Sequence, residues 1–418
     1  MTEHPTRRHA DPFGPDPLEP SGAPAAAPPD EASVRGVLGG VLDPELRVGI
    51  VDLGMVKGID VAADGTVRVQ VALTTAACPL RGQIATDVRS KIAGLPGVRD
   101  VEVEYGEMTA EERSTLMQRA RLEATRRAPA TEVSPTTRVI AVASGKGGVG
   151  KSSVTANLAA ALAAEGRVVG VLDADIWGFS VPRMLGVHGR LAAAKDDEGK
   201  GKIVPHEVEV PNLAGGAPGR LKIVSMGLLV DDEDTALMWR GLILAKALEQ
   251  FLVDVRWGDM DYLLLDMPPG TGDIQMALAR LLPQTEMLVV TTPAKGAQKV
   301  ASRVADMARR SYLKVLGVIE NMSEFVAPDG SRHPIFGEGG GKRLAALTGA
   351  PLLGRVPIEP GVSTGGDAGE PVVLARHPSA AATELRRIAA LIVDELLPPV
   401  EMAGCTARIF ELARAERA

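Results

Sequence analysis

The sequence predicts an α/β protein: a doubly wound, mostly parallel sheet built around a phosphate-binding loop, with a small α/β unit before it. Three observations carry that prediction. Residues 138–153, RVIAVASGKGGVGKSS, pass from a continuous apolar run through a glycine loop into a helical pattern. From Thr136 to about Pro399, strand-like apolar runs alternate with helical stretches, the order that folds into a parallel sheet with helices on both faces. Residues 31–108 show the same alternation on a smaller scale.

The elements follow in chain order. Residues 1–30 hold eight of the 30 prolines and no apolar core of a secretory signal, so they read as a disordered leader. In the unit at 31–108, Ala32 to Val41 forms a short helix. Thr66 to Leu73 alternates as a strand, Leu80 to Ile92 is a helix, and Val98 to Tyr105 alternates again. Leu80, Ile84, Val88 and Ile92 recur every four residues, which turns one helical face toward the strands.

Residues 109–135 form a linker. Its first part is rich in good helix formers, and Pro129 to Pro135 breaks it. The large domain spans 136–400, with strands expected near 138–143, 167–172, 221–226, 261–265, 286–291, 314–319 and 352–356. Ala192 to Arg220 is polar and glycine-rich and reads as a surface excursion. Residues 401–418 form a solvated, helical tail.

Composition bounds the function. Lys+Arg 46 against Asp+Glu 53 gives a net charge of −7, which supplies no global basic footprint for nucleic acid or an anionic membrane. No apolar run reaches the length of a membrane span. Two cysteines, Cys78 and Cys405, are too few for a disulfide framework and point to the cytoplasm.

The chemistry is concentrated in a few segments. Gly145, Lys146, Gly147, Gly148, Val149, Gly150, Lys151 and Ser152 satisfy G-x-x-x-x-G-K-[ST], and Ser153 continues into the helix. Glycines permit positive φ and close approach, so successive N–H groups and the helix N-terminus can face phosphate oxygens. Lys151 is then expected to reach the β- and γ-phosphates of ATP, and Ser152 to bind Mg²⁺.

Asp261 to Asp273 is an apolar strand ending in Asp266, followed by Pro268, Pro269 and Gly270. A carboxylate there is placed to hold the Mg²⁺ water shell. Met267 to Gly272 reads as a γ-phosphate-sensing loop, with Asp273 capping the next helix. Asp173 and Asp175 lie just past the second strand of this domain, where local capping is the alternative role.

KGGVGK resembles the deviant phosphate loop of the MinD, ParA, nitrogenase-reductase and Mrp/ApbC ATPases. The resemblance implies that Lys146 crosses a homodimer interface to the partner's nucleotide. It gives Asp175 the polarisation of the attacking water, with Asp173 nearer the metal, and has Asn321 read the adenine base. DADIWGFS, MWRG with Arg240, WGDMDYLLLDMPPGTGD, TTPA at Thr291 to Ala294, GVIENMS and IFGEGGG occur in this order. Over 136–400 the chain therefore resembles the Mrp/ApbC iron–sulfur cluster carrier ATPases. VLDPEL, IVDLGMV and TTAACPL make 31–108 similar to the MIP18-type domain that precedes many bacterial members. The implied partners are a second copy of the chain and apo iron–sulfur proteins.

One departure stands out. The family carries C-P-x-C after N-M-S-x-F, whereas this chain reads Phe325, Val326, Ala327, Pro328, Asp329, Gly330. Thiolates are the usual protein ligands of iron–sulfur clusters. Cys78 precedes Pro79 at an expected helix N-cap, where the helix dipole favours the thiolate; a buried structural cysteine is its alternative role. Asp43 and Glu45 are expected near Cys78 or in a turn cap, and His333 as a surface histidine. Two other functions fit the same loop: a MinD- or ParA-like spatial regulator, and a metal-free nucleotide-switched adaptor.

Overall fold

The computed structural model describes residues 27–44, 48–73, 81–109, 111–116, 118–119, 128–175, 178–195, 199–229, 241–270, 273–311, 313–327 and 329–399. Cys78, Arg240, most of the 1–30 leader, part of the linker and the 401–418 tail lie outside these residues. The chain divides into two units, Met1–Ala120 and Arg121–Ala418.

In the first unit α1 (Glu31–Leu38) starts at Asp30, whose side chain accepts from the Ser33 N–H. Strands β1 (Val56–Val61), β2 (Thr66–Leu73) and β3 (Asp100–Glu107) form one sheet in that order, and α2 (Arg81–Ala93) crosses between β2 and β3. β1 and β2 pair antiparallel; β2 and β3 pair parallel. Val67, Val69 and Val71 alternate inward along β2, and Ile84, Val88 and Ile92 of α2 are buried. A short helix, α3, covers 111–116, inside the expected helical linker.

The second unit is a parallel sheet covered on both faces. Its strands are β4 (Arg138–Ser144), β5 (Val168–Asp173), β9 (Gly219–Ser225), β10 (Tyr262–Asp266), β11 (Glu286–Thr291), β12 (Lys314–Val326) and β14 (Leu352–Ile358). They run in the order β14-β12-β11-β4-β10-β5-β9. Along β4, Val139, Ala141 and Ala143 enter one apolar core while Ile140 and Val142 enter the other. A strand buried on both faces needs such an unbroken apolar run. One core holds α4 (Lys151–Ala163) and α11 (Ala380–Leu391); the other holds α6 (Gly241–Asp254), α7 (Asp273–Leu281) and α8 (Lys295–Arg310).

The excursion at 192–220 is more ordered than its composition suggests. β6 (Ala192–Lys195) and β7 (Gly201–Val204) form an antiparallel pair, and β8 (His206–Val210) joins the main sheet antiparallel to β9. β6 and β7 are too short to show an apolar period, and β8 alternates over only five residues. β12 also runs past its expected end into a hairpin with β13 (Arg332–His333). Met322 breaks its regularity at φ +54, a backbone region uncommon outside glycine.

Candidate nucleotide-binding site

The parallel register assembles the site before any ligand is considered. Asp266 is the last residue of β10, aligned with Val142 of β4 on one side and Asp173 of β5 on the other. The loop 145–150 leaves the end of β4 and delivers Lys151 and Ser152 to the first turn of α4. Gly148 and Gly150 have φ of +76 and +77, so both use the conformation that glycine adopts without strain. A Cβ on Gly150 would also lie 2.2 Å from Asn321 Nδ2.

Lys151 Nζ lies 2.7 Å from Asp266 Oδ1 and 3.8 Å from Asp175 Oδ2. The lysine is 6% exposed and Asp266 fully buried, so this is an internal ion pair. Ser152 Oγ donates to Asp266 Oδ2 at 2.6 Å, and Thr155 Oγ1 lies 2.9 Å from Asp266 Oδ1. Asp266 therefore collects an ammonium and two hydroxyls. Lys146, by contrast, is exposed at the mouth of the loop.

Asp173 is differently engaged. Its Oδ1 accepts from the Asp175 N–H, and its Oδ2 accepts from Ser180 N, Val181 N and Ser225 Oγ. The carboxylate thereby anchors the start of α5 (Val181–Met184). Burial, reinforced by the neighbouring Asp266 charge, pushes its pKa up to about 8, against the opposing pull of Lys151 and the N–H donors. Asp175 is also buried, 8% exposed, on the Lys151 side of the site.

The segment after β10 is latched to the phosphate loop's own strand. Met267 N donates to Val142 O at 3.1 Å, and Gly270 N to Ser144 O at 3.0 Å. Gln275 Nε2 closes the turn on Gly270 O. On the opposite side Asn321 Nδ2 donates to Val149 O at 2.9 Å, which places the amide against the loop with its second hydrogen and Oδ1 still available. Thr291 and Thr292 are buried at the end of β11.

Three features escaped the sequence reading. Thr155 lies one helical turn past Lys151, and that i, i+4 spacing was the available signal. Glu320 is fully buried; it accepts from Arg355 Nε at 2.9 Å and from the Gly341 N–H at the start of α9 (Gly340–Thr348). Its partners are 21 and 35 residues away, so no local pattern announces it. The third is the anchoring of the Asp175, Ser180 and Val181 N–H groups by Asp173.

The donor set fits Mg²⁺–nucleotide. Hard oxygen ligands from Ser152 and Asp266 suit Mg²⁺. Nothing lies within 4 Å of a Cβ built on Gly147 or Gly148, so the backbone faces open space where phosphates would approach.

The hairpin at 326–333 is another matter. Ala327 N donates to Ser331 O and Gly330 N to Ala327 O; Ser331 Oγ lies 2.6 Å from Asp329 Oδ1 and 2.9 Å from His333 Nε2. The Ser331 hydroxyl and N–H hold Asp329 below the usual carboxylate range. This is an exposed, self-satisfied polar turn without a thiol. Among the described residues, no three His, Cys, Asp or Glu side chains form a metal-binding group, and no helix is long and apolar enough to cross a membrane.

Comparison with known proteins adds the following. The ParA family model, described as NUBPL iron-transfer P-loop NTPase, matches residues 135–393, and the FeS_assembly_P model, iron–sulfur cluster assembly protein, matches 31–105. The chain is 44% identical over 368 residues to the iron–sulfur cluster carrier protein of Mycobacterium tuberculosis, covering 86% of this chain and 92% of that protein. It is 42% identical over 357 residues to the carrier protein of Deinococcus radiodurans, covering 85% and 93%. Among solved structures, a nucleotide-binding protein in complex with ADP from Archaeoglobus fulgidus is 33% identical, with a TM-score of 0.47 over 62% of this chain and 95% of that one.

Proposed function

The chain belongs to the iron–sulfur cluster carrier family of P-loop ATPases, and from that premise we propose that it binds and hydrolyses Mg²⁺–ATP to control delivery of an iron–sulfur cluster to apoproteins. The observation that carries the ATPase half is the buried Lys151–Ser152–Asp266 cluster at the end of a glycine loop. The two carboxylates beside Lys151 contact the ammonium that phosphate oxygens would claim.

On binding, Lys151 turns from Asp266 to the β- and γ-phosphates, and Ser152 releases Asp266 Oδ2. Ser152 and Asp266 would hold Mg²⁺, whose charge would neutralise that of the phosphate oxygens. Asp175, on the Lys151 side of the site, orients a water for attack on the γ-phosphorus; the bond to the β–γ bridging oxygen breaks, giving ADP and phosphate. Asp173 keeps Asp175 and the start of α5 in place by accepting the Asp175, Ser180 and Val181 N–H groups. Asn321 supports the loop through Val149 and faces the base with its remaining amide groups. Lys146, exposed, reaches the nucleotide of a second copy in a homodimer.

The cluster is cargo, and its ligands lie elsewhere than the 326–333 hairpin. Ala327 and Gly330 supply no thiolate, and Asp329 and His333 are poor substitutes for one. Cys78, in the N-terminal unit's sequence but outside the described residues, is the thiol we assign, completed across a dimer or by an external thiol.

The test is cluster transfer to an apo acceptor after anaerobic reconstitution, with and without ATP, for wild type and Lys146→Ala. We expect ATP to change the wild-type transfer rate, and the variant to lose both that response and dimerisation with trapped ATP. Transfer indifferent to ATP in the wild type would overturn nucleotide control, and a wild type that takes up no cluster would favour a metal-free adaptor. Equal dimerisation of the two proteins by light scattering would refute the shared site.

A further inference from the structure

We propose that Thr155 is a positioning residue for Asp266, its hydroxyl holding Oδ1 so that Oδ2 is presented to the cation. The inference rests on the Mg²⁺–nucleotide reading of the same site. Thr155 is fully buried, and its Oγ1 lies 2.9 Å from Asp266 Oδ1 and 3.0 Å from Lys151 O. A helical threonine often donates to the carbonyl four residues back. Here that carbonyl already serves the helix ladder, while the salt-bridged carboxylate is the stronger acceptor.

The three donors to Asp266 differ in whether they stay. Asp266 now receives Lys151 and Thr155 at Oδ1 and Ser152 at Oδ2. Lys151 and Ser152 belong to the phosphate loop and leave when nucleotide and cation arrive. Thr155 is one turn deeper in α4 and remains. The carboxyl torsion of aspartate is broad, so a fully buried Asp266 without a fixed donor would be free to rotate and would leave Oδ1 unsatisfied. Thr155 removes that freedom.

The test uses the full chain with a fluorescent ADP, titrated with Mg²⁺ and repeated in EDTA, for wild type, Thr155→Val and Thr155→Ser. We expect Thr155→Val to raise the Mg²⁺ concentration for half-maximal coupling about tenfold, the equivalent of about 1.4 kcal/mol, with ADP affinity in EDTA within about twofold. Thr155→Ser should behave as wild type because it keeps the hydroxyl. A Thr155→Val titration overlaying wild type would overturn the proposal. So would equal loss of affinity in EDTA, which marks a packing role, or failure of Thr155→Ser to rescue. Should Thr155→Val not fold, Thr155→Ala is read the same way. A wild type whose ADP binding ignores Mg²⁺ overturns instead the nucleotide reading beneath it.

Discussion

Two places at the carboxyl ends of the same parallel strands are built in opposite ways. At the ends of β4 and β10, Lys151, Ser152, Thr155 and Asp266 are locked together by ionic and hydroxyl contacts, with Asp266 wholly out of solvent. At the end of β12, the 326–333 hairpin presents Asp329, Ser331 and His333 to one another on an exposed turn. The first arrangement is costly to bury and is satisfied only by mutual contact or by a ligand of matching charge. The second is satisfied already and needs no ligand. The contrast supports the proposal that nucleotide and cluster are held by separate parts of the chain, because only the first of these two strand ends is built to exchange its contacts for a charged ligand.

The largest effect should come from Lys151→Ala. It removes one partner of an internal ion pair and leaves Asp266 and Asp175 facing each other, so the nucleotide-free protein should lose about 3–5 kcal/mol of stability by denaturant titration. ATP affinity should fall at least about 100-fold by calorimetry, since charge-assisted bonds to two phosphates are lost together. Unchanged affinity and an unchanged denaturation midpoint would remove the contrast at its stronger end.

At the other end, Asp329→Ala should leave the denaturation midpoint unchanged, because only the two Ser331 hydrogen bonds of an exposed turn are lost. ATP turnover should stay within about twofold of wild type. A large loss of turnover would show that the hairpin takes part in nucleotide chemistry and would erase the distinction between the two strand ends.

The phosphate loop was legible because its determinants are local: glycines, lysine and serine at fixed spacing between an apolar run and a helix. The doubly wound sheet was legible for the same reason, since strands buried on both faces read as unbroken apolar segments. What stayed hidden depends on register or on distant partners. Asp173 beside Asp266 follows from β5–β10 pairing. The Glu320–Arg355 pair joins β12 to β14, and the backbone latch from Gly270 to Ser144 involves no side chain at all. The β6–β7 pair was invisible because each strand is only four residues long and neither alternates apolar with polar positions.

Whether cargo and nucleotide are held by separate parts of the chain can be decided with one variant and two assays on the same preparation. Iron and sulfide content after anaerobic reconstitution, and ATP turnover, should be measured for wild type and Cys78→Ala. The account predicts a weak, oxygen-sensitive cluster in the wild type, none in Cys78→Ala, and equal ATP turnover in both. Stable, stoichiometric cluster binding by Cys78→Ala would contradict it.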